Sequence, residues 1–223
     1  MIQFNNNGNT RFLKAILLDM DGVVTDSMPW HFECWREVFR RRDVNLERED
    51  VYRREGEKGI VSVMNIFAEK NVKVQLDEAL RMLQEKEYLF HSIAKIGTFK
   101  DIEAFIDKIS KAGTLMALVT GTSRGEMKRL LTEEMQSVFH SIVTGDMLDR
   151  GKPDPDPYLK ALAMLGVAAE DSIAVENAPL GILSAKGAGI FTIAVQTSLG
   201  PEYLGDADLI VPNHMVLYGL FQN

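Results

Sequence analysis

KAILLDMDGVVTDS, residues 14–27, runs from a short apolar stretch, Ala15 to Leu18, straight into Asp19, Asp21 and Gly22. A brief apolar run without alternation is the pattern of a parallel strand buried on both faces. Acidic residues and a glycine at its end suit a functional loop, because glycine lets the backbone turn tightly. Four further stretches read the same way: TLMALVT (114–120), SIVTG (141–145), SIAVE (172–176) and IFTIAV (190–195), with a weaker DLIV at 208–211.

Helical patterns separate these runs. DIEAFIDKISKAG (101–113) puts Ile102, Phe105, Ile106 and Ile109 on one face, with Gly113 placed to end the helix in a left-handed cap. DPYLKALAMLGV (156–167) stops at Gly166, and PLGILSAKGAG (179–189) begins with Pro179, a good first-turn residue. Alternation of this kind predicts an α/β fold, a Rossmann-like doubly wound parallel sheet. Residues 28–97 break the alternation with three helical patterns and no strand, HFECWREVFRRR, VSVMNIFAEK and LDEALRMLQEKEYLFHSI. They read as a small inserted α-helical cap above the first strand, which leaves 1–27 and 98–223 as the core. Residues 1–12, polar and Asn-rich, read as a flexible tail.

The 223 residues suit one such domain with an insert. Hydrophobic residues at 46% and charged residues at 26% are ordinary for a soluble globular chain. A single cysteine, Cys34, excludes an internal disulfide and points to the reducing cytoplasm. The formal charge of −7 argues against nucleic acid as a partner. The N-terminus lacks the pattern of a signal peptide, and no apolar stretch is long enough to span a membrane.

Ligands of open α/β sheets bind outside the carboxyl ends of the strands, so the polar residues there carry the functional reading. Asp19 and Asp21 lie two apart and point the same way in an extended segment. Two close carboxylates ionise together only beside a cation, and magnesium is the expected one where phosphate is handled. The plain alternative is a solvated acidic turn. At the next strand end, Thr120, Gly121, Thr122 and Ser123 offer hydroxyls and N–H groups to phosphate oxygens, although this is also ordinary turn chemistry. In DRGKPDPDPY (149–158), Lys152 precedes a proline and is aimed by it; it is either a fixed ammonium for a phosphoryl group or a solvated surface group. In AVENAPLG (174–181), Glu176 and Asn177 offer oxygens to a metal, and Asn177 also suits a helix N-cap.

Taken together and in order, these four stretches resemble the haloacid dehalogenase-like superfamily over essentially the whole chain. DMDGVVTDS is similar to its first motif, VTGTS to its second, GKPDPDPY to its third and VENAPLG to its fourth. The resemblance implies a phosphoryl-transfer enzyme in which Asp19 attacks phosphorus and becomes an aspartyl phosphate. Asp21 would protonate the leaving oxygen and activate the next acceptor, and Thr120 and Lys152 would hold the phosphoryl oxygens. Mg²⁺ would bind Asp19, the Asp21 backbone carbonyl, Glu176 and Asn177. The fourth motif of the family usually carries an acidic pair, so the amide of Asn177 predicts weaker metal binding and leaves open a catalytically dead phosphate-binding module. Relatives with this cap type are often monomers.

TDSMPWHFECW (25–35) resembles the β-phosphoglucomutase and sugar-phosphatase branch, with His31 at the position of a mutase cap histidine. The mutases carry a lysine–glycine pair in the next cap loop, where this chain has Glu55-Gly56. Arg53, Arg54 and Lys58 stand close by as substitutes, or as a solvated charge run. A mutase must hold a second phosphate and keep water out. With Glu55 in the loop, the resemblance favours hydrolysis of a small sugar or polyol phosphate, with β-phosphoglucomutase activity as the alternative.

Overall fold

The computed structural model describes residues 1–6 and 8–222. In chain order its elements are β1 (Ile2–Asn6), β2 (Asn9–Leu13), β3 (Ala15–Leu18), α1 (Met28–Arg40), α2 (Arg48–Tyr52), α3 (Gly59–Glu69), α4 (Leu76–Ile93) and α5 (Lys100–Lys111). They continue with β4 (Leu115–Val119), α6 (Arg124–Leu130), α7 (Glu133–Ser137), β5 (Ser141–Val143), α8 (Asp156–Leu165) and β6 (Ser172–Glu176). The last are α9 (Pro179–Gly187), β7 (Phe191–Val195), β8 (Leu209–Val211), α10 (His214–Gly219) and β9 (Phe221–Gln222).

The main sheet has six parallel strands in the order β5-β4-β3-β6-β7-β8. The chain winds outward from β3 to β5, then crosses back and winds the other way from β6. The reversal leaves a crevice between β3 and β6, where ligands of doubly wound folds bind. All four residues of β3 are buried, as a strand covered on both faces requires. Helix ends follow local chemistry: α8 stops at Gly166 in the left-handed conformation, and Pro157 and Pro179 sit in first turns.

Helices α1 to α4 pack on one another around Phe32, Trp35, Phe39, Val63, Phe67 and Met82. Their two connections to the sheet lie side by side. Asp26 N–H donates to Gly97 O at 2.9 Å, and Phe99 N–H donates to Val24 O at 3.1 Å. This pairing hangs the helices over the carboxyl end of β3.

The N-terminal segment departs from the sequence expectation. It is not a tail: β1 and β2 pair antiparallel from Ile2–Leu13 to Asn6–Asn9, and β9 joins the other edge of β1. Asn7 lies outside the described residues. Ile2 and Phe4 are buried while the residues between and beyond them are half-exposed. Phe4 packs on Phe191 and Phe221, with ring centroids 5.6 and 5.3 Å away, and the Arg11 guanidinium lies 4.5 Å from the Phe191 centroid. Among the described residues, no helix is long and apolar enough to cross a membrane.

Candidate active site

The parallel register brings distant strand ends level. Leu18 pairs with Leu118 on one side and Val175 on the other. Asp19 therefore leaves β3 beside Glu176, and Thr120 lies just past the end of β4. Asp19, Glu176 and Asn177 are completely buried.

Lys152, only 3% exposed, reaches this edge from the loop before α8. Its Nζ donates to Asp19 Oδ1 at 2.5 Å and to Glu176 Oε1 at 2.6 Å. Tyr158, in the first turns of α8, donates its hydroxyl to the same Glu176 oxygen at 2.5 Å. Burial alone would lower the pKa of Lys152, but Asp19 and Glu176 outweigh it and hold the ammonium well above its usual range. Burial pushes the Asp19 carboxyl well up, and Glu176 and Asp21 reinforce the shift against the pull of Lys152. One ammonium thus faces more negative charge than it balances. Asp19 Oδ2 and Asn177 Oδ1 are buried with no hydrogen-bond partner among the described residues, a costly arrangement unless a donor or a cation meets them.

Asp21 occupies different surroundings. Ser27 Oγ donates to its Oδ1 at 2.6 Å, Thr122 Oγ1 donates to its Oδ2 at 2.9 Å, and His31 Nε2 lies 3.4 Å from Oδ1. Burial works to raise its pKa, but hydrogen bonding and charge from His31, with the bonds from Ser27 and Thr122, bring it down to about 2. Gly22 makes the turn possible. Its φ is +88°, and a Cβ there would lie 2.1 Å from Asn177 Nδ2. The two aspartates therefore do not share one cation through paired side chains. The chain turns between them, so Asp19 meets Lys152 while Asp21 meets the hydroxyls and His31.

The helices over β3 enclose a cavity of about 410 Å³ lined by Asp21, His31, Trp35, Glu55, Lys86 and Gly121, among others. His31 stacks on Phe90, with ring centroids 4.3 Å apart. Burial and the nearby Lys86 ammonium push the His31 pKa below the usual imidazole value. Glu55 is 9% exposed, and its Oε2 is buried without a partner among the described residues. Burial and the proximity of Asp19 push its carboxyl well up. The loop holding Glu55 rests against the sheet edge because Gly121 has no side chain: a Cβ there would lie 2.8 Å from Gly56 O.

Of the other predicted residues, Thr122, Ser123 and Arg54 line the cavity, whereas Thr120, Arg53 and Lys58 do not. Thr120 is buried beside Asp21, its Oγ1 accepting the Thr122 N–H at 3.0 Å. Thr122 spends its hydroxyl on Asp21, and Ser123 caps α6 by accepting the Glu126 N–H at 3.3 Å. Arg54 lines the cavity but is ion-paired with Glu57 and Glu69. Arg53 turns to Asp50 and Glu69 at 3.9 and 3.8 Å, and Lys58 donates to Asp149 O at 2.6 Å. Acidic and carbonyl partners near the loop draw these last two cations away from the cavity. Asn177 is not a helix cap; Ala178 holds that position in α9, and Asn177 Nδ2 donates to Ser198 Oγ at 3.1 Å. Among the described residues, no three His, Cys, Asp or Glu side chains cluster so as to hold a metal by themselves. The open oxygens at this edge include an amide, and Lys152 stands between Asp19 and Glu176.

Sequence reading missed Ser27, Tyr158, Lys86 and Glu126. The first two lie inside stretches already singled out, two residues after Thr25 and six after Lys152, and their buried hydroxyls required a partner. Lys86 and Glu126 sit among many exposed charges on helix faces, so no local pattern marks them.

The sequence model for haloacid dehalogenase-like hydrolases matches residues 16–195. β-Phosphoglucomutase of Bacillus subtilis is 32% identical over 205 residues, covering 89% of this chain and 89% of that protein. Hexitol phosphatase A of Escherichia coli is 29% identical over 201 residues, covering 89% and 90%. A solved structure from Bacteroides vulgatus, provisionally named β-phosphoglucomutase, superposes with a TM-score of 0.82 at 32% identity, covering 93% of this chain and 87% of that one.

Proposed function

The chain belongs to the haloacid dehalogenase-like hydrolase family as an enzyme of the phosphatase or phosphoglucomutase type, and we propose that it hydrolyses a small sugar or polyol phosphate monoester through an aspartyl phosphate on Asp19. The observation that carries this reading is the sorting of two carboxylates two residues apart into two environments. Asp19 lies on the Lys152 ammonium, and Asp21 lies on hydroxyls and an imidazole at the cavity wall. Environments that separate two titratable groups assign their roles.

In the first half-reaction an Asp19 oxygen attacks phosphorus, the ester P–O bond breaks, and the leaving oxygen takes the proton of Asp21. In the second, water gives a proton back to Asp21 and attacks phosphorus, and the bond to Asp19 breaks to release phosphate. One acid/base thus serves both halves. In the free chain Asp21 is an anion, its pKa at about 2. The charge of a bound phosphate pushes it upward, the direction an acid requires. Lys152 holds phosphoryl oxygens with Thr120 and balances the charge that develops on them.

The donor set fits magnesium. Asp19 Oδ2 and Asn177 Oδ1 are open oxygens in a site with surplus negative charge. Asp19, Glu176 and Asn177 would hold the ion, with the Asp21 backbone carbonyl. When bound it supplies charge neutralisation at the phosphoryl oxygens. The neutral amide of Asn177 makes the affinity lower than an acidic pair would give.

One contact supports a second reading, β-phosphoglucomutase activity: His31 stands 3.4 Å from Asp21, at the position of the mutase cap histidine. Against it, a buried glutamate rather than a cation stands beside the phosphoryl site in the cap loop. Asn177 alone favours a dead phosphate-binding module. A panel of phosphorylated sugars, assayed with and without Mg²⁺ beside isomerisation of β-glucose 1-phosphate, separates the three. Free phosphate forming faster than glucose 6-phosphate supports hydrolysis, the reverse order supports the mutase, and no turnover with metal supports the module.

A further inference from the structure

Beside the cavity, α6 meets the end of α4. Glu126 on α6 pairs one carboxylate oxygen, Oε2, with His91 Nε2 on α4. Its other oxygen, Oε1, is buried with no hydrogen-bond partner among the described residues. Arg129, one turn further along α6, keeps its guanidinium on His91, with Nη1 2.9 Å from Nδ1. Lys86 lies in the same wall, its Nζ 4.3 Å from the centroid of Phe90, and has no ion-pair partner among the described residues. Glu126, His91, Arg129 and Lys86 all line the cavity that holds Asp21.

This wall therefore carries a buried carboxylate oxygen and an ammonium that are both unpartnered among the described residues, beside apolar surface from Trp35 and Phe90. A hydroxyl both donates and accepts, so a polyhydroxylated carbon chain satisfies both groups at once. A second phosphate brings only acceptors: it can pair with Lys86, but it leaves the Glu126 oxygen without a donor and facing another anion. Building on the hydrolase reading above, we propose that Glu126 is a specificity-determining residue. It accepts a hydrogen bond from a leaving-group hydroxyl and selects neutral sugar or polyol monophosphates over bisphosphates. His91 and Arg129 are positioning residues that fix the carboxylate.

Calorimetric binding of glucose 6-phosphate, glucitol 6-phosphate and glucose 1,6-bisphosphate to the full chain carrying Asp19→Asn tests this without turnover. The parent should prefer the monophosphates. Adding Glu126→Ala should weaken them roughly tenfold, the cost of a hydrogen bond to a charged group, and leave the bisphosphate as strong or stronger. Glu126→Gln keeps an acceptor oxygen and should restore most of the monophosphate affinity. Equal effects on mono- and bisphosphates, no effect on either, or failure of both monophosphates to bind the parent overturns the assignment. Hydrolysis of p-nitrophenyl phosphate by the wild type reports separately on the hydrolase reading, so a working phosphatase with indifferent Glu126 variants sinks this proposal alone.

Discussion

Lys152 Nζ stands 2.5 Å from Asp19 Oδ1, although 133 positions separate the two residues. No local preference creates that contact. It exists because β3 and β6 are neighbours in register and because α8 packs behind them, delivering its preceding loop to the strand ends. The same ammonium also holds Glu176, so a single cation ties two buried carboxylates from different strands.

Lys152→Met keeps much of the apolar stem and removes the charge, which leaves both carboxylates buried without their shared cation. Breaking a buried pair in this way costs about 3–5 kcal/mol. Urea unfolding at neutral pH should show that loss, and phosphate release should fall to background. A loss below about 1 kcal/mol, the worth of an exposed ion pair, would mean that the carboxylates find other partners and that Lys152 does not organise the site.

The environment of Asp21 predicts a pH dependence of stability. Its folded pKa of about 2 lies below the unfolded value, so its contribution is present above pH ~4 and is lost as pH falls through about 2. The shift is worth about 2–3 kcal/mol. The unfolding free energies of the wild type and Asp21→Asn, measured by urea from pH ~5 down to ~2, should converge across that window. A constant gap contradicts the bonds assigned to Asp21.

Metal removal should abolish phosphate release, and added Mg²⁺ should restore it. Asn177→Asp adds a charged ligand, so the magnesium concentration for half-activation should drop by about tenfold, as ligand charge count governs affinity for hard cations. Calorimetry with Mg²⁺ alone should show the same tightening. Full turnover in chelator, or weaker magnesium binding by the aspartate variant, speaks against the assigned ligands.

The strand ends were legible because buried parallel strands have little freedom in composition: apolar runs such as Ala15–Leu18 end in a loop, DMDG and ENAP stand at the ends of two such runs, and GKPDP lies in the longer loop after β5. The N-terminal hairpin was missed because its partners are distant. Ile2 and Phe4 alternate with polar residues as a half-buried strand should, yet the rings on which Phe4 packs, Phe191 and Phe221, lie far along the chain. The cavity wall was the least legible part. Whether Arg53 or Arg54 faces the cavity depends on where Asp50, Glu57 and Glu69 fall after the helices dock. Glu126 and His91 meet only because α4 packs against the end of α6. Periodicity identifies a helix face, but not which solvent-facing charge becomes enclosed when two such faces close on each other.

The most direct measurement is an acid-quenched single turnover with a labelled phosphate ester, followed by peptide mapping. The wild type should carry the label on the peptide containing Asp19, and Asp19→Asn should carry none and release no phosphate. Label on any other residue, or near-normal turnover in Asp19→Asn, would contradict the account.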